Sequence, residues 1–149
     1  MQLTRHTDYA LRVLIFLALQ PKGVRVTMAD IEQHFAIPRN HLIKIVQRLG
    51  KLGYADTLRG KGGGLRLGRD AAAITIGEVV RDMESTLEMI DCAKPLCPLH
   101  PGCRLKGILD EARKAFIDTL SRYTIADVIA SPENFEVALG WHPLGKPLH

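Results

Sequence analysis

Residues 38–67 read PRNHLIKIVQRLGKLGYADTLRGKGGGLRL, and the fold turns on how this stretch is understood. In its first half Leu42, Ile45, Val46 and Leu49 stand at i, i+3, i+4 and i+7, the spacing of one buried helical stripe. Pro38 suits the first turn, where no amide hydrogen is needed, and Gly53 closes the run, so a helix is expected from 38 or 39 to 52. Its outer side carries Arg39, Asn40, His41, Lys44, Gln47, Arg48 and Lys51. Ile43 interrupts that polar side and suits a neighbouring element or a thymine methyl. The second half places two short strands, 54–58 and 65–67, around Arg59-Gly60-Lys61-Gly62-Gly63-Gly64, the pattern of a hairpin. A glycine loop that cradles a nucleotide phosphate would open onto a helix, and 65–67 reads as strand instead.

Upstream, residues 8–20 hold Tyr9, Leu11, Val13, Leu14, Phe16, Leu17 and Ala18, apolar nearly all round and therefore buried. Thr7 is the expected cap, with Pro21 and Gly23 as the stop. A second helix is expected over 28–35 after Thr27, with Ala29, Ile31 and Phe35 facing inward. Three helices and a hairpin, in that order, make a winged helix-turn-helix. The expected class is mainly α with a small β-hairpin wing and a long C-terminal dimerisation helix.

Downstream, a short helix over 76–83 follows Thr75, and a long one runs from 104 to about 126 or beyond. Leu105, Ile108, Leu109, Ala112, Ala115, Phe116, Leu120, Tyr123 and Val128 form its apolar stripe. A helix of that length beyond a compact unit needs cover, and a second copy is the economical partner. The organisation expected is a DNA-binding unit at 1–84, a cysteine loop at 85–103, a dimerisation helix at 104–130 and an irregular tail at 131–149.

Charge agrees with this division. The chain's 149 residues carry a net +4, but residues 1–70 hold twelve Lys/Arg against five Asp/Glu, whereas 71–149 hold eight against eleven. A basic first half points to a polyanion, although solvated surface charge alone gives the same balance. The start lacks the pattern of a secretory leader, and the apolar run 13–19 is too short to cross a bilayer, so a reducing cytoplasm is expected.

Major-groove reading needs forked side chains at the exposed start of a helix. Arg39 and Asn40 are the expected base readers, while Lys44, Arg48 and Lys51 suit phosphates. His41, Pro38 and Met28 stand at the starts of the two adjoining helices and complete the expected set. Arg59, Gly60 and Lys61 form a basic wing tip suited to a narrow minor groove. A basic outer face is also what an ordinary solvated helix shows; the hairpin behind it favours DNA.

Cys92, Cys97 and Cys103 give C-x4-C-x5-C, with Pro95, Pro98, Pro101 and Gly102 bending the chain between them. Three clustered thiols in a reducing compartment suit a metal centre better than a disulfide framework. Zinc with His100 as fourth ligand and an iron–sulfur cluster both remain open on spacing alone, as do unliganded thiols. No nucleophile–base pair or carboxylate pair stands in a recognisable context, and the histidines are scattered, so no enzyme is expected.

Several stretches in order carry a family resemblance: Gln2-Leu3-Thr4 with Thr7-Asp8-Tyr9, Pro38-Arg39-Asn40-His41 with Lys44-Ile45, and Arg59-Gly60-Lys61 with Gly63-Gly64 and Arg66-Leu67-Gly68. Ile76-Gly77-Glu78-Val79-Val80-Arg81 and Cys103-Arg104-Leu105 continue it. From Met1 to about Val128 the chain resembles the NsrR repressors, nitric-oxide-sensing relatives of the IscR iron–sulfur regulators. The resemblance implies a homodimeric repressor on an A·T-rich inverted repeat of double-stranded DNA, released when nitric oxide attacks the iron. It also implies that Cys92, Cys97 and Cys103 ligate the cluster, [4Fe–4S] favoured and [2Fe–2S] possible. Asp8 of the partner subunit matches the position of a fourth ligand in that family, though an acid in a first helical turn is also ordinary capping. Response to iron–sulfur supply or redox state, and a zinc-stabilised interaction module, are the alternatives.

Overall fold

The computed structural model describes residues 2–100, 102–131 and 133. Its elements run α1 (Arg5–Leu19), α2 (Met28–Phe35), α3 (Arg39–Lys51), β1 (Ala55–Leu58), β2 (Gly64–Leu67), a single 3-10 turn (Ala71–Ala73), α4 (Ile76–Met83), α5 (Arg104–Leu120) and α6 (Ile125–Val128). The expected helix–helix–helix–hairpin order is therefore present. Of the expected tail 131–149, all but Ser131 and Glu133 lie outside the described residues. Among the described residues no helix is long and apolar enough to cross a membrane.

α1 is the central strut. Ala10, Val13, Leu14, Phe16 and Leu17 are buried, as the all-round apolar pattern demands. It starts three residues earlier than expected. Thr4, not Thr7, is the cap: its hydroxyl accepts from the Thr7 amide at 3.3 Å, and Thr7 itself is fully buried. α3 lays Leu42, Ile45, Val46 and Leu49 onto this strut, the expected stripe. α2 contributes Ile31, with Phe35 half-buried beside Phe16 at 5.7 Å between ring centres. Ala29, expected to face inward, is exposed. Ile31 is the one residue of α2 that is buried, and Ala29 lies on the outer side of the helix.

β1 and β2 pair antiparallel, Ala55 opposite Leu67 and Leu58 opposite Gly64. Val26, just before α2, adds a bridge to Leu65 with amide–carbonyl bonds of 2.9 and 2.8 Å. The wing is thus stitched to the helical body as well as to itself.

The largest departure lies at the C-terminal end. The helix expected to run unbroken past 126 stops at Leu120, and Thr124 starts α6 with a reciprocal capping box, Thr124 with Asp127. The break comes from long-range backbone pairing. Ile76 donates to the Tyr123 carbonyl at 2.8 Å and Ile125 to the Ile74 carbonyl at 2.9 Å, so the chain after α5 returns to the core and buries Ile125. Tyr123 and Val128, expected on the apolar stripe of one long helix, therefore belong to the turn and to α6.

Gly77 of α4 sits against this turn. A Cβ there would overlap the Ser121 hydroxyl and approach the Ser121 amide nitrogen to 2.8 Å. Gly77→Ala should force α4 from the 121–125 turn and cost about 1–3 kcal/mol, as overpacking does. In urea the midpoint should fall with the slope preserved; an unmoved midpoint would show that the packing there is loose.

Candidate nucleic-acid interface and cysteine segment

Between α3 and the wing runs an open groove of about 1030 Å³. α3 supplies Arg39, Ile43, Gln47 and Lys51, four residues spaced one helical turn apart. The start of α2 supplies Met28, and the wing supplies Leu58, Arg59 and Gly60. Three basic side chains line the groove and no carboxylate does. Arg39 is lightly held by Glu32 of α2 at 3.2 Å and remains more than half exposed. Such a pair in water is worth little and is easily exchanged for a phosphate or a base edge.

The expected DNA-binding residues divide over two faces. Met28, Arg39, Lys51, Arg59 and Gly60 meet in the groove, and Pro38 and Lys61 stand exposed at its ends as the residue before α3 and the wing tip. Asn40, His41, Lys44 and Arg48 continue round α3 towards α1 and α4. Asn40 turns its amide oxygen back to the His41 amide at 3.0 Å. The His41 ring lies 6.4 Å from that of Tyr9. Arg48 donates to the main-chain carbonyl of Asp82, so its guanidinium braces α4. Burial, then the positive field of Arg48, His41 and Lys44, holds His6 below the ordinary imidazole range, with Glu84 opposing. Gln47 and Leu58 line the groove but stand outside the expected set, and Ile43, expected against a neighbouring element or a thymine methyl, lines it with them. For Ile43 and Gln47 the signal is present in the sequence: each lies four residues from Arg39 or from the other.

The wing is braced at its base. Asp56 accepts from Arg25 at 2.7 Å and from Arg66 at 2.8 Å, tying both strands to the approach to α2. Gly63 has no room for a side chain because a Cβ would overlap the Leu58 carbonyl. Gly60, at φ +91°, makes the turn that presents Arg59 and Lys61.

Beyond α4 the chain enters the cysteine segment. Cys92, Cys97 and Cys103 are all half-buried and none is in a disulfide. The Cys97 amide donates to the Cys92 carbonyl at 3.0 Å, and the His100 amide to the Cys97 carbonyl at 3.0 Å. Asp91 caps the first of these turns by accepting from Ala93 at 2.8 Å and Lys94 at 3.3 Å. Cys103 is the residue before α5, where free first-turn amides favour negative charge. Pro101 lies outside the described residues. The donor chemistry, three free thiols on a bent segment, fits an iron–sulfur cluster. Among the described residues no three His, Cys, Asp or Glu side chains of one chain stand close enough together to hold a metal. Asp8, in the first turn of α1, pairs with Arg12 at 2.9 Å.

The ends of this segment are well anchored. Before it, the Tyr54 hydroxyl donates to the Asp82 carboxylate at 2.6 Å. Burial and that bond together push the Tyr54 phenol well above its usual range. The Thr4 amide and hydroxyl donate to Glu84 at 2.8 and 3.1 Å. α4 leads into the cysteines while bound to α1, to α3 and to the residue that precedes β1.

Comparison with known proteins gives a consistent picture. The family model described as Rrf2, iron-dependent transcriptional regulator, matches residues 3–131. The HTH-type transcriptional regulator NsrR of Bacillus subtilis (strain 168) is 45% identical over 137 residues, covering 90% of this chain and 94% of that protein. The regulator of the same name from Bacillus licheniformis is 43% identical over 142 residues, covering 93% and 99%. Among solved structures, CymR, the global cysteine regulator of B. subtilis, superposes with a TM-score of 0.72 at 23% identity, covering 87% of this chain and 97% of that one. T. potens IscR superposes at 0.73 with 20% identity, covering 91% of each.

The wing clamp has a pH signature. Hydrogen bonds from Arg66 and then Arg25 hold the Asp56 carboxyl below its usual range. A depressed carboxylate lends its support at neutral pH and loses it as pH falls through that lowered value. The protection of the Leu65 amide, its exchange referred to the intrinsic rate at each pH, should therefore fall in acid, and Asp56→Asn should show the same loss of protection at neutral pH. Equal protection in the variant would remove the clamp from the account.

Proposed function

The chain belongs to the Rrf2 family of winged-helix transcriptional regulators, and from that premise we propose that it is a repressor whose hold on DNA is set by an iron–sulfur cluster responding to nitric oxide. The observation that carries this reading is the 42–45% identity to NsrR regulators over nearly the whole chain, beside which this chain holds three free cysteines. Cys92, Cys97 and Cys103 are its ligands, with Asp8 of the partner subunit as the fourth. A [4Fe–4S] centre is favoured over [2Fe–2S]. When bound, the cluster supplies iron to which nitric oxide can add.

The remaining steps belong to the chain itself. α3 enters the major groove of an A·T-rich inverted repeat, Arg39 and Asn40 at base edges, with His41, Lys44 and Lys51 nearer the phosphates and Arg48 reaching one by exchanging the Asp82 carbonyl for it. Asn40 must turn away from its own helix to read a base. Arg59 and Lys61 reach the minor groove over Gly60. Met28 and Pro38 fix where the two helices meet the backbone. The groove's freedom from carboxylates supports this docking.

A homodimer follows from α5. Leu105 and Ile108 are 58% and 54% exposed, an unpartnered apolar edge on a helix whose Ile117 is already buried on the body. α5 pairs with a second copy, while α6 stays locked to its own core. The arm set out as 104–130 thus reduces to α5, after a DNA-binding unit at 1–84 and a ligand segment at 85–103. Cytoplasmic residence agrees with free thiols. The family's description as iron-dependent supports a second reading, response to iron–sulfur supply.

Protein purified without oxygen should contain iron and sulfide, and nitric oxide should bleach its visible absorption and weaken operator binding in parallel. Iron chelation giving that release while nitric oxide does not would favour the second reading. Zinc without iron or sulfide would overturn both. Separately, Lys61→Ala should lower the slope of log affinity against log salt by about one, the share of a single neutralised phosphate, with sequence preference unchanged.

A further inference from the structure

We propose that Ile43 is a specificity-determining residue that reads the 5-methyl group of a thymine. This rests on the DNA-binding reading above and adds to it which chemical feature of the operator the groove selects.

Ile43 is not part of the hydrophobic core. The buried face of α3 is complete with Leu42, Ile45, Val46 and Leu49, all at most 8% exposed. Ile43 lies one step of about 100° outward from Leu42 and is 38% exposed. A β-branched side chain here loses rotamer freedom while leaving more of its surface open than any residue of the buried stripe does. The position faces the groove between α3 and the wing, between Arg39 one turn before it and Gln47 one turn after. Leu58, 53% exposed, and Met28 add apolar surface to the same groove. The rim is basic through Arg39, Lys51 and Arg59, so the occupant the groove fits is polyanionic and also presents an apolar group.

Duplex DNA answers that description in one way. Among the base edges displayed in the major groove, the only apolar group is the thymine methyl. Gln47, four residues on, stands about 6 Å further along the helix axis, close to two base steps of about 3.4 Å. It can pair bidentately with an adenine. Ile43 and Gln47 therefore read an A·T-containing half-site by a methyl contact and a hydrogen-bonded contact in succession.

Deoxyuridine differs from thymidine by this methyl alone and keeps every hydrogen-bonding group. A duplex selected by the full-length, oxygen-free protein from a random-sequence pool is amplified once with dTTP and once with dUTP. The two forms are then titrated with wild type, Ile43→Ala and Ile43→Val. Wild type should bind the uridine form about fourfold more weakly for each half-site, the equivalent of one buried methyl. Ile43→Ala should bind both forms alike, and Ile43→Val should retain part of the preference. Changes in duplex stiffness caused by uridine act on all three proteins and cancel in the comparison. Equal binding of both forms by wild type, or the same preference in Ile43→Ala, would overturn the inference while leaving DNA recognition intact. Failure to enrich any duplex would overturn the DNA-binding reading, and this inference with it.

Discussion

Everything in this molecule depends on the buried face of α1. Val13 and Leu14 have no exposed surface, and Phe16 and Leu17 almost none. A side chain of this kind contributes about 1.5–3 kcal/mol when fully buried. What matters more is which elements supply the cover. α2, α3, β2, α4 and α6 all pack against α1, so the reading helix and the return from α5 share one floor. Because such interiors are close-packed, a shift of the strut is a shift of every element laid on it. Asp8 and His6 lie in the first turns of this same helix, so chemistry at its N-terminus acts on the body that carries α3.

The end of α4 is the second fixed point. Arg48 binds the Asp82 carbonyl, Tyr54 binds its carboxylate, and Thr4 binds Glu84 through both amide and hydroxyl. Three separate parts of the chain converge within three residues, just before the cysteine segment starts. Of these bonds only Tyr54–Asp82 is part-buried, and removing one of its partners leaves the other poorly satisfied, which costs more than the bond was worth. The segment thus begins from a rigid platform, and through Arg48 that platform touches the helix proposed to enter DNA.

Much of this is legible in the sequence, and the exceptions share a cause. The α3 stripe, the glycine-rich hairpin and the Thr27 and Thr75 caps are local patterns, and they stand where spacing puts them. The cap of α1 is ambiguous because Thr4 and Thr7 are equally good candidates by residue type; only the strut's burial of Thr7 decides between them. The apolar rhythm of α5 continues through Tyr123 and Val128, so periodicity alone carries the helix past its end. Pairing between residues 74–76 and 123–125 breaks it, and no window of sequence contains both partners. Even so, Thr124-Ile125-Ala126-Asp127 is a capping-box signature, and it marks a helix start inside an apolar run that otherwise looks like helix interior. The candidate DNA face is visible in the sequence as a set of residues but not as a surface. Residue type and spacing put both Arg39 and Arg48 on the DNA, at a base and at a phosphate, whereas the groove claims the first and α4 holds the second.

The return of α6 restricts how the cysteine segment can act under the proposed reading. That segment joins the end of α4 to the start of α5, and these two helices pack on each other. Gly77 is closed against the turn after α5, and Ile125 is fixed in the core. The C-terminal end of α5 is therefore held to the body that carries α3. A ligand bound or released at Cys92, Cys97 and Cys103 cannot swing the arm freely. What is left to move is the platform at Asp82 and Glu84, or the relation of one subunit to the other if Asp8 of the partner subunit shares the centre. A winged-helix dimer reads two half-sites about one turn apart, so small changes in either are enough to misplace the second reading helix once the first has docked.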